Sequence, residues 1–295
     1  MYPSYYKKGN WGRWGEDDER GALNILTTEI VKKASRLVKK GKTYTLGLPI
    51  MHNAGNGPTF PGRVPPVHVA LYSRGGPKGS GGGDDYLVLN SHNAPSHIDA
   101  LGHFWRANRL YNNISDDVVS AAGAARCGID KVGAIVTRGV LLDMARYKGV
   151  NHLESGEIVS GTDMIDCAKS EGIEFEPGDA VLLRTGYLNT FDPKMGPAYF
   201  DGCPGFGLST AKVFDSNGTV ALGADTAYVE VHPSEVKDEV VPLHEELLWR
   251  RGLYFLELLD LEGLAKDRVY EFLLIVNPLK IQGGLGSPIN PVAIA

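Results

Sequence analysis

The spacing of apolar residues predicts one helix and several strands in the first third of the chain. From Thr28 to Gly41, apolar residues recur at helical intervals, so this segment is predicted to be a helix that ends at the glycine. Short apolar runs bounded by Gly and Pro predict strands at Thr43 to Leu48, Val67 to Tyr72 and Tyr86 to Leu89. The glycine-rich segment 75–83 is predicted to be a hairpin loop, because its lysine is misplaced for a phosphate-binding loop and no helical pattern follows it.

The rest of the chain alternates between apolar runs typical of buried strands and helical patterns. The predicted strands are Ala134 to Asp143, Ala180 to Gly186 with a turn at its end, Thr219 to Gly223, and Leu253 to Leu259. The predicted helices are Val118 to Ala125, a helix capped by Thr162 that ends at Gly172, and Ser209 to Phe214. Because the alternation has no repeat and no break in composition, we expect one α/β domain spanning residues 1–295.

Charge and composition exclude several classes of protein. The 295 residues include 30 Lys and Arg against 35 Asp and Glu, a formal net charge of -5, and the basic residues are scattered, so nucleic acid is not an expected partner. No apolar run approaches the roughly 20 residues needed to cross a bilayer, and Met1 to Trp14 contains no apolar signal region. Three widely spaced cysteines fit a reducing compartment. We therefore expect a cytoplasmic protein that acts on a small molecule and contacts no membrane.

The densest group of chemically active residues lies between Ser91 and Trp105. His97 and Asp99 are two residues apart, so in an extended backbone both side chains leave the same face, and His103 can return from the next bend. Imidazole and carboxylate together suit a borderline divalent ion such as zinc or manganese. A single loop histidine is usually solvated, but three histidines beside an aspartate in one short segment favour a metal or acid/base site.

Two residues far along the chain are candidates to complete this site. Glu257 interrupts the apolar run from Leu253 to Leu259, and a buried carboxylate is costly unless it meets a cation or a hydrogen-bond network. His244 follows Pro242 at a predicted helix N-terminus, where the macrodipole favours the neutral ring. Asp99 and Glu257 would balance a divalent charge, and His244 would be the general acid/base. The plainer alternatives are a surface histidine and a strand whose Glu257 end reaches water.

Aromatic residues in loops beside these segments are candidates for a substrate pocket. They are Phe60, Trp105 and Tyr187. A role in packing is the equal alternative for each of them.

Taken together, the motifs resemble those of the cyclase and kynurenine formamidase family of metal-dependent hydrolases, which includes isatin hydrolase. The matching pieces cover most of the chain: the Trp11-Gly12 to Asn24 region, His97-Ile98-Asp99 to His103, Gly178-Asp179 to Thr185-Gly186, Gly223-Ala224-Asp225-Thr226, His244, Glu257, and Pro278-Leu279-Lys280 through Gly286-Ser287-Pro288. The resemblance implies a zinc or manganese ion held by His97, Asp99, His103 and Glu257, with His244 as the catalytic residue.

The chain departs from the family pattern at one expected ligand. That pattern is usually His-x-Gly-Thr-His-x-Asp-x-Pro-x-His, and Asn93 stands here in place of its first histidine. An amide oxygen is a weaker donor to zinc than an imidazole. His92 is the alternative ligand, although a shift of one residue normally aims a side chain elsewhere. One ion, a pair of ions, and a degenerate site without metal are therefore all open.

The resemblance also implies a fold and an activity. The fold is a swivelling β/β/α arrangement in which helices flank a central sheet, assembled as a homodimer or homotetramer. The activity is hydrolysis of a small cyclic or acyl amide or of a lactone. The alternative is a small-molecule binding or structural protein on the same fold, whose metal chemistry was lost together with the first histidine.

Overall fold

A nine-stranded mixed sheet forms the centre of this protein, whose computed structural model describes residues 9–51, 58 and 60–295. Residues 1–8, which belong to the segment expected to lack a signal region, lie outside the described residues. The helices are α1 (Thr28–Ser35), α2 (Met144–Tyr147), α3 (Gly161–Ser170), α4 (Thr210–Asn217), a π-helix (His244–Trp249) and α5 (Glu262–Asp267). None of these helices is long and apolar enough to cross a membrane.

The strands are β1 (Thr43–Thr45), β2 (Val67–Ser73), β3 (Gly82–Val88), β4 (His97–Asp99), β5 (Val119–Ser120), β6 (Gly123–Ala124), β7 (Ile135–Asp143), β8 (Ile158–Val159), β9 (Ala180–Arg184), β10 (Gly205–Phe206), β11 (Ala221–Ala224), β12 (Tyr254–Glu257), β13 (Glu271–Val276), β14 (Gly286–Pro288) and β15 (Val292–Ile294). In the main sheet they follow the order β1-β15-β13-β7-β9-β11-β12-β4-β14. The pairs β8 with β10, β2 with β3, and β5 with β6 form three separate two-stranded sheets.

The middle of the main sheet is parallel and its two sides are antiparallel. Strands β7, β9, β11 and β12 run parallel to one another, whereas β13 pairs with β7 and β4 pairs with β12 in antiparallel orientation. Parallel strands covered on both faces need nearly continuous apolar sequence, and Ala180 to Leu183 on β9 are fully buried. The predicted mixed α/β fold is therefore confirmed.

Local signals explain the start of α1 and both ends of α3, with one cap displaced, whereas α1 ends at Ser35 and not at the predicted Gly41. Thr27 accepts a hydrogen bond from the backbone of Ile30 and so begins α1. In α3, Ser160 and Asp163 form a reciprocal capping box, so the cap is Ser160 and not the predicted Thr162. The chain leaves α3 at Gly172 with φ of 74°, as its C-terminal glycine predicts.

The helix predicted from Val118 to Ala125 is wrong. The segment is a short hairpin made of β5 and β6. Gly123 has φ of 105° and lies so close to Gly283 that an added Cβ would be 2.7 Å from the Gly283 carbonyl oxygen. A left-handed glycine in close backbone contact interrupts a helix, although the apolar spacing around it is helical.

Candidate active site

Strand β4 presents His97 and Asp99 on one face, next to Glu257 on β12. Side chains alternate along a strand, so Ile98 turns into the core while its two neighbours share the other face. The antiparallel register places Glu257 directly opposite His97, and Nε2 of His97 lies 3.0 Å from Oε2 of Glu257. All three polar side chains are buried. The strand pairing therefore brings together residues that are far apart in sequence.

His92 and His103 approach Asp99 from the two turns that flank β4. A 3-10 turn at Ser91–Asn93 directs His92 inward, and its Nε2 lies 3.3 Å from Oδ1 of Asp99. His103 sits in a tight turn closed by its backbone N–H to the Ala100 carbonyl at 2.9 Å. The two imidazole rings stack with centroids 4.0 Å apart. His92, the alternative considered for the missing family histidine, thus reaches the cluster.

The side chain of Asn93 points away from the cluster and forms hydrogen bonds with the loop from Phe60 to Val64. Its side-chain oxygen accepts a hydrogen bond from the Phe60 backbone, and its amide donates to the carbonyls of Arg63 and Val64 at 3.4 and 3.1 Å. The residue is 2% exposed. Because its polar groups are all engaged by the loop at Phe60 to Val64, the side chain of Asn93 has a structural role and does not face the cluster.

His244 is held by a buried carboxylate that the sequence did not single out. Oε1 of Glu230 contacts Nδ1 of His244 and accepts the His244 backbone N–H at 3.0 Å, while Oε2 accepts the Leu243 N–H at 2.8 Å. Glu230 thereby satisfies two free N–H groups at the start of this helical segment. The fixed ring directs its Nε2 to Oδ2 of Asp99 at 3.5 Å.

The signal that could have identified Glu230 is its place in an apolar stretch. It stands between Val229 and Val231, and all three residues are buried. Val229 adopts φ of 59°, a strained conformation for a β-branched residue, directly before the carboxylate. Leu258 has φ of 53° directly after Glu257. Strained backbone therefore adjoins two of the buried carboxylates.

The histidines of the cluster have pKa values displaced in opposite directions. Burial lowers the pKa of His103 to about 3, so this ring is neutral. Burial also lowers the pKa of His244, but hydrogen bonds to Asp99 and Glu230 and the nearby charge of Glu257 outweigh it and raise the pKa to about 10. The neutral ring expected for His244 from the helix macrodipole is therefore corrected, because three carboxylates surround the ring and favour its protonated form.

The buried polar atoms at the centre of the cluster favour the binding of a cation. Nε2 of His92 and Oδ1 of Asp99 are buried, and although they lie 3.3 Å apart, they form no hydrogen bond with each other or with another described residue. Nδ1 of His97 faces the Pro95 carbonyl at 2.8 Å and is the donor, so its Nε2 faces Glu257. Burial lowers the pKa of His97, but the hydrogen bond to Glu257 and the charges of Glu257 and Asp99 outweigh it and raise the pKa, so positive charge is favoured at this point. Unpaired buried acceptors of this kind cost free energy that a shared cation removes.

Two groups of three residues meet the spacing of a metal site. In each group, one ligand atom per residue lies within 4.8 Å of the others. One group is His92, Asp99 and His103, and the other is Asp99, His244 and Glu257. Asp99 belongs to both groups. The donor set of imidazoles and carboxylates fits a divalent ion.

The cluster forms one wall of a cavity of about 180 Å³. Aromatic side chains of Phe60, Phe104 and Tyr228 line the other walls. Among the described lining residues, Arg63 carries the only guanidinium, and it lies 4.5 Å over the Phe60 ring. The cavity therefore combines an apolar aromatic surface, one cationic group and the buried imidazole and carboxylate cluster.

Of the three aromatic residues predicted for a pocket, only Phe60 lines this cavity. Trp105 is 43% exposed and lies outside the described lining. Tyr187 packs in a separate apolar cluster with Tyr199, and its hydroxyl donates to the Gly202 carbonyl at 3.0 Å. The positions of loop residues of this kind are not fixed by sequence spacing.

Comparison with known proteins identifies the family. The Cyclase family model matches residues 32–231. A solved structure described as a novel cyclase is 34% identical, covers 97% of this chain and 99% of its own, and superposes with a TM-score of 0.88. Among curated proteins, no match is found.

More distant solved structures share the fold. Isatin hydrolase A from Labrenzia aggregata is 18% identical, with 88% of this chain and 94% of that chain covered and a TM-score of 0.62. A predicted metal-dependent hydrolase from Bacillus stearothermophilus is 19% identical, with 85% and 97% covered and a TM-score of 0.53. The expected cyclase-like fold is thus confirmed. With a family match over most of its length and a 34% identical structure covering nearly all of it, the chain belongs to the Cyclase family.

Proposed function

We propose that this protein is a metal-dependent hydrolase of a small cyclic or acyl amide or of a lactone. The observation that carries the proposal is the buried cluster around Asp99, whose unpaired acceptors fit a divalent ion and which faces a small aromatic cavity. Family membership and the names of the structurally similar hydrolases support it. A site used only for packing has no need of so many buried ionisable groups, which are costly to desolvate.

The proposed ligands are those implied by the sequence, with one addition. His97, Asp99, His103 and Glu257 would hold zinc or manganese, and His92 would take the additional position. In the second group of three, His244 is assigned to proton transfer, and its place as a ligand would be taken by His97, whose Nε2 lies 3.0 Å from Glu257. Because Asp99 belongs to both groups of three, it is the residue on which binding should depend most. The donor set is compatible with one ion or with two.

A bound divalent ion supplies Lewis acidity, which polarises a carbonyl group and lowers the pKa of water from about 16 toward about 7. His244 supplies the proton transfers through Nε2, the nitrogen directed at Asp99 and the cavity. Glu230 keeps the proton on Nδ1 and fixes the ring plane, as an orienting carboxylate does for a catalytic histidine. Positive charge bound at Asp99 and Glu257 would offset the carboxylates that raise the pKa of His244, and so restore a neutral base.

The cavity favours a compact, partly aromatic substrate that carries an anionic group. Phe60, Phe104 and Tyr228 offer flat apolar surfaces for a ring. Arg63 donates one N–H to the His92 carbonyl at 2.6 Å and presents its charge at the cavity wall, where a carboxylate of the substrate would pair with it. Aromatic-derived amides and lactones with a carboxylate meet both requirements.

The test is a hydrolysis screen on protein loaded with zinc or manganese. The panel contains lactones, N-formyl aromatic amides and cyclic amides, including isatin, whose hydrolysis names the isatin hydrolases. We expect at least one class to be hydrolysed, with turnover falling about a hundred- to ten-thousand-fold in His244→Ala while metal content is unchanged. His152→Ala, a histidine outside the described cavity lining, is the matched control. Full turnover in His244→Ala would refute the assigned acid/base, and no hydrolysis of any class by metal-loaded protein would refute the proposed activity.

A further inference from the structure

The segment from Pro233 to Val240, here called the flap, lies between two stretches of chain that line the cavity. Tyr228 precedes the flap and Val241 follows it, and both of these side chains belong to the cavity lining. The flap contains no helix or strand, and none of its residues is buried. Val240, the residue before Val241, is 66% exposed. A segment with so little packing opens more easily than the sheet that carries the rest of the site.

Two glutamates of the flap attach it to the rest of the protein. The Glu235 carboxylate accepts a hydrogen bond from the Leu208 backbone N–H. Glu239 accepts two parallel hydrogen bonds from Arg106, from Nη1 to Oε2 at 2.6 Å and from Nη2 to Oε1 at 2.8 Å. Within the described part of the chain, these are the hydrogen bonds that join the flap to residues outside it. The end of the flap next to Val241 is therefore held by one ion pair.

Arg106 also connects the flap to two other parts of the cavity wall. Phe104, whose ring lines the cavity, precedes Arg106 by two residues. Nη1 of Arg106 lies 2.5 Å from Oε2 of Glu245, which directly follows His244 at the start of the π-helix. If the flap moved away, Arg106 would keep Glu245 as a carboxylate partner. Opening the flap would therefore leave no unpaired guanidinium.

The ion pair between Arg106 and Glu239 has the properties of a contact that can break and form again. The two side chains are 38% and 33% exposed. The hydrogen bond from Arg106 lowers the pKa of Glu239, so both groups are charged at neutral pH. Opposite charges that remain this accessible to water attract each other weakly and are screened by salt, although the bidentate geometry fixes one orientation. Such a contact favours the closed position without making it permanent.

We propose that the ion pair between Arg106 and Glu239 is a latch, which holds the flap closed beside the cavity and whose opening admits small molecules to the Asp99 cluster. The inference rests on the proposed function in one respect, since it takes the cavity as the place where the substrate binds. Loops that open and close over a site commonly control substrate entry and product release. Arg106 and Glu239 are accordingly positioning residues.

A thiol introduced on the cavity wall measures access to the cavity without metal or substrate. Val241→Cys places this thiol on the lining, where it can react with N-ethylmaleimide. The three native cysteines are buried and should stay unlabelled. Mass spectrometry would follow the labelling rate from about 10 mM to about 1 M NaCl, over which the screening length falls from about 30 to about 3 Å. Because N-ethylmaleimide is uncharged, the salt acts on the protein and not on the reagent.

The chain offers a matched pair of second substitutions in the Val241→Cys protein. Glu239→Gln removes the charge of the latch, whereas Glu271→Gln removes a carboxylate that lies 2.6 Å from Arg138, outside the described cavity lining. In both cases the arginine keeps another carboxylate partner. We expect salt to accelerate labelling about two- to fivefold in Val241→Cys alone and together with Glu271→Gln, as is typical of an exposed ion pair. With Glu239→Gln, labelling should already be fast at low salt and should not respond to salt.

Three results would overturn the proposal. Equal rates in all three proteins would show that the ion pair does not limit access to the cavity. Equal acceleration by both second substitutions would show a general effect of lost charge. Labelling of the native cysteines in the Glu239→Gln protein would show unfolding in place of flap opening. Because labelling needs no turnover, a failed latch and a failed hydrolysis screen are separate results.

Discussion

At the scale of single residues, the 3-10 turn at Ser91–Asn93 decides which of two neighbours, His92 or Asn93, faces the candidate metal cluster. Alternation along a strand would turn His92 away if Asn93 faced the site. The chain is instead a 3-10 turn here, in which successive side chains are about 120° apart. His92 therefore meets Asp99, and Asn93 meets the backbone of the loop at Phe60 to Val64.

Asn93→His, which restores the usual family residue, is expected to lower stability without adding an ion. The imidazole is larger than the amide and cannot supply both the acceptor for Phe60 and the donors for Arg63 and Val64. Leaving those buried groups unpaired costs about 1–3 kcal/mol. Denaturant unfolding measures the loss, and elemental analysis counts the ions. A rise in metal per chain at unchanged stability would contradict the placement of Asn93.

Glu230 is the residue that sequence reasoning missed. A lone glutamate between two valines resembles an edge-strand residue, and its partner His244 becomes visible only when the two segments meet in space. Glu257 was found because its apolar run is longer and the carboxylate is conspicuous within it. The two glutamates differ in the length of the apolar run that surrounds each of them in the sequence.

Glu230→Gln is expected to reduce turnover about 10- to 100-fold while leaving metal content intact, as typical for a positioning residue behind a functional histidine. The amide cannot accept hydrogen bonds through both of its ends, so either the His244 ring or the Leu243 N–H loses its partner. Parallel measurement of kcat, KM and bound metal separates this role from a general loss of structure. A fall in metal content equal to the fall in kcat would contradict it.

At the scale of elements, β4 lies between β12 and β14, and the sequence alone does not show that these strands pair with it. Its predicted extended geometry placed His97 and Asp99 on one face correctly. The register with β12 and β14, however, depends on sheet order, which no local pattern specifies. Gly286 on β14 lies opposite Asp99, and an added Cβ would stand 2.4 Å from Nε2 of His92.

Gly286→Ala is therefore expected to push His92 out of the cluster and to weaken metal binding by about tenfold or more. The same Cβ would also crowd the Ile98 carbonyl at 2.8 Å, so some loss of stability accompanies it. Gly82→Ala at the start of β3, where a Cβ meets nothing within 4 Å, is the matched control. Isothermal titration with zinc gives both affinities. Equal affinity in the two variants would show that His92 does not contribute to binding.

At the scale of the whole molecule, the α/β alternation and the buried central strands were predictable, because parallel strands need continuous apolar sequence. The hairpin at Val119 to Ala124 was not, since close backbone packing against Gly283 overrides its helical spacing. The same distinction, between what local sequence predicts and what packing decides, holds for the residues of the candidate site. Residues within one strand or one apolar run were named from the sequence, and His92 was named as the alternative ligand, whereas the contact of Glu230 with His244 depends on how two segments pack.

The central claim is that the Asp99 cluster binds a divalent ion, and metal content tests it most directly. Wild type and Asp99→Asn would be dialysed against zinc or manganese and analysed for bound metal. Asparagine keeps the shape of the side chain but removes the charge shared by both groups of three residues. We predict at least one ion per wild-type chain and loss of most of it in Asp99→Asn. No bound metal in wild type, or equal metal in both proteins, would contradict the account.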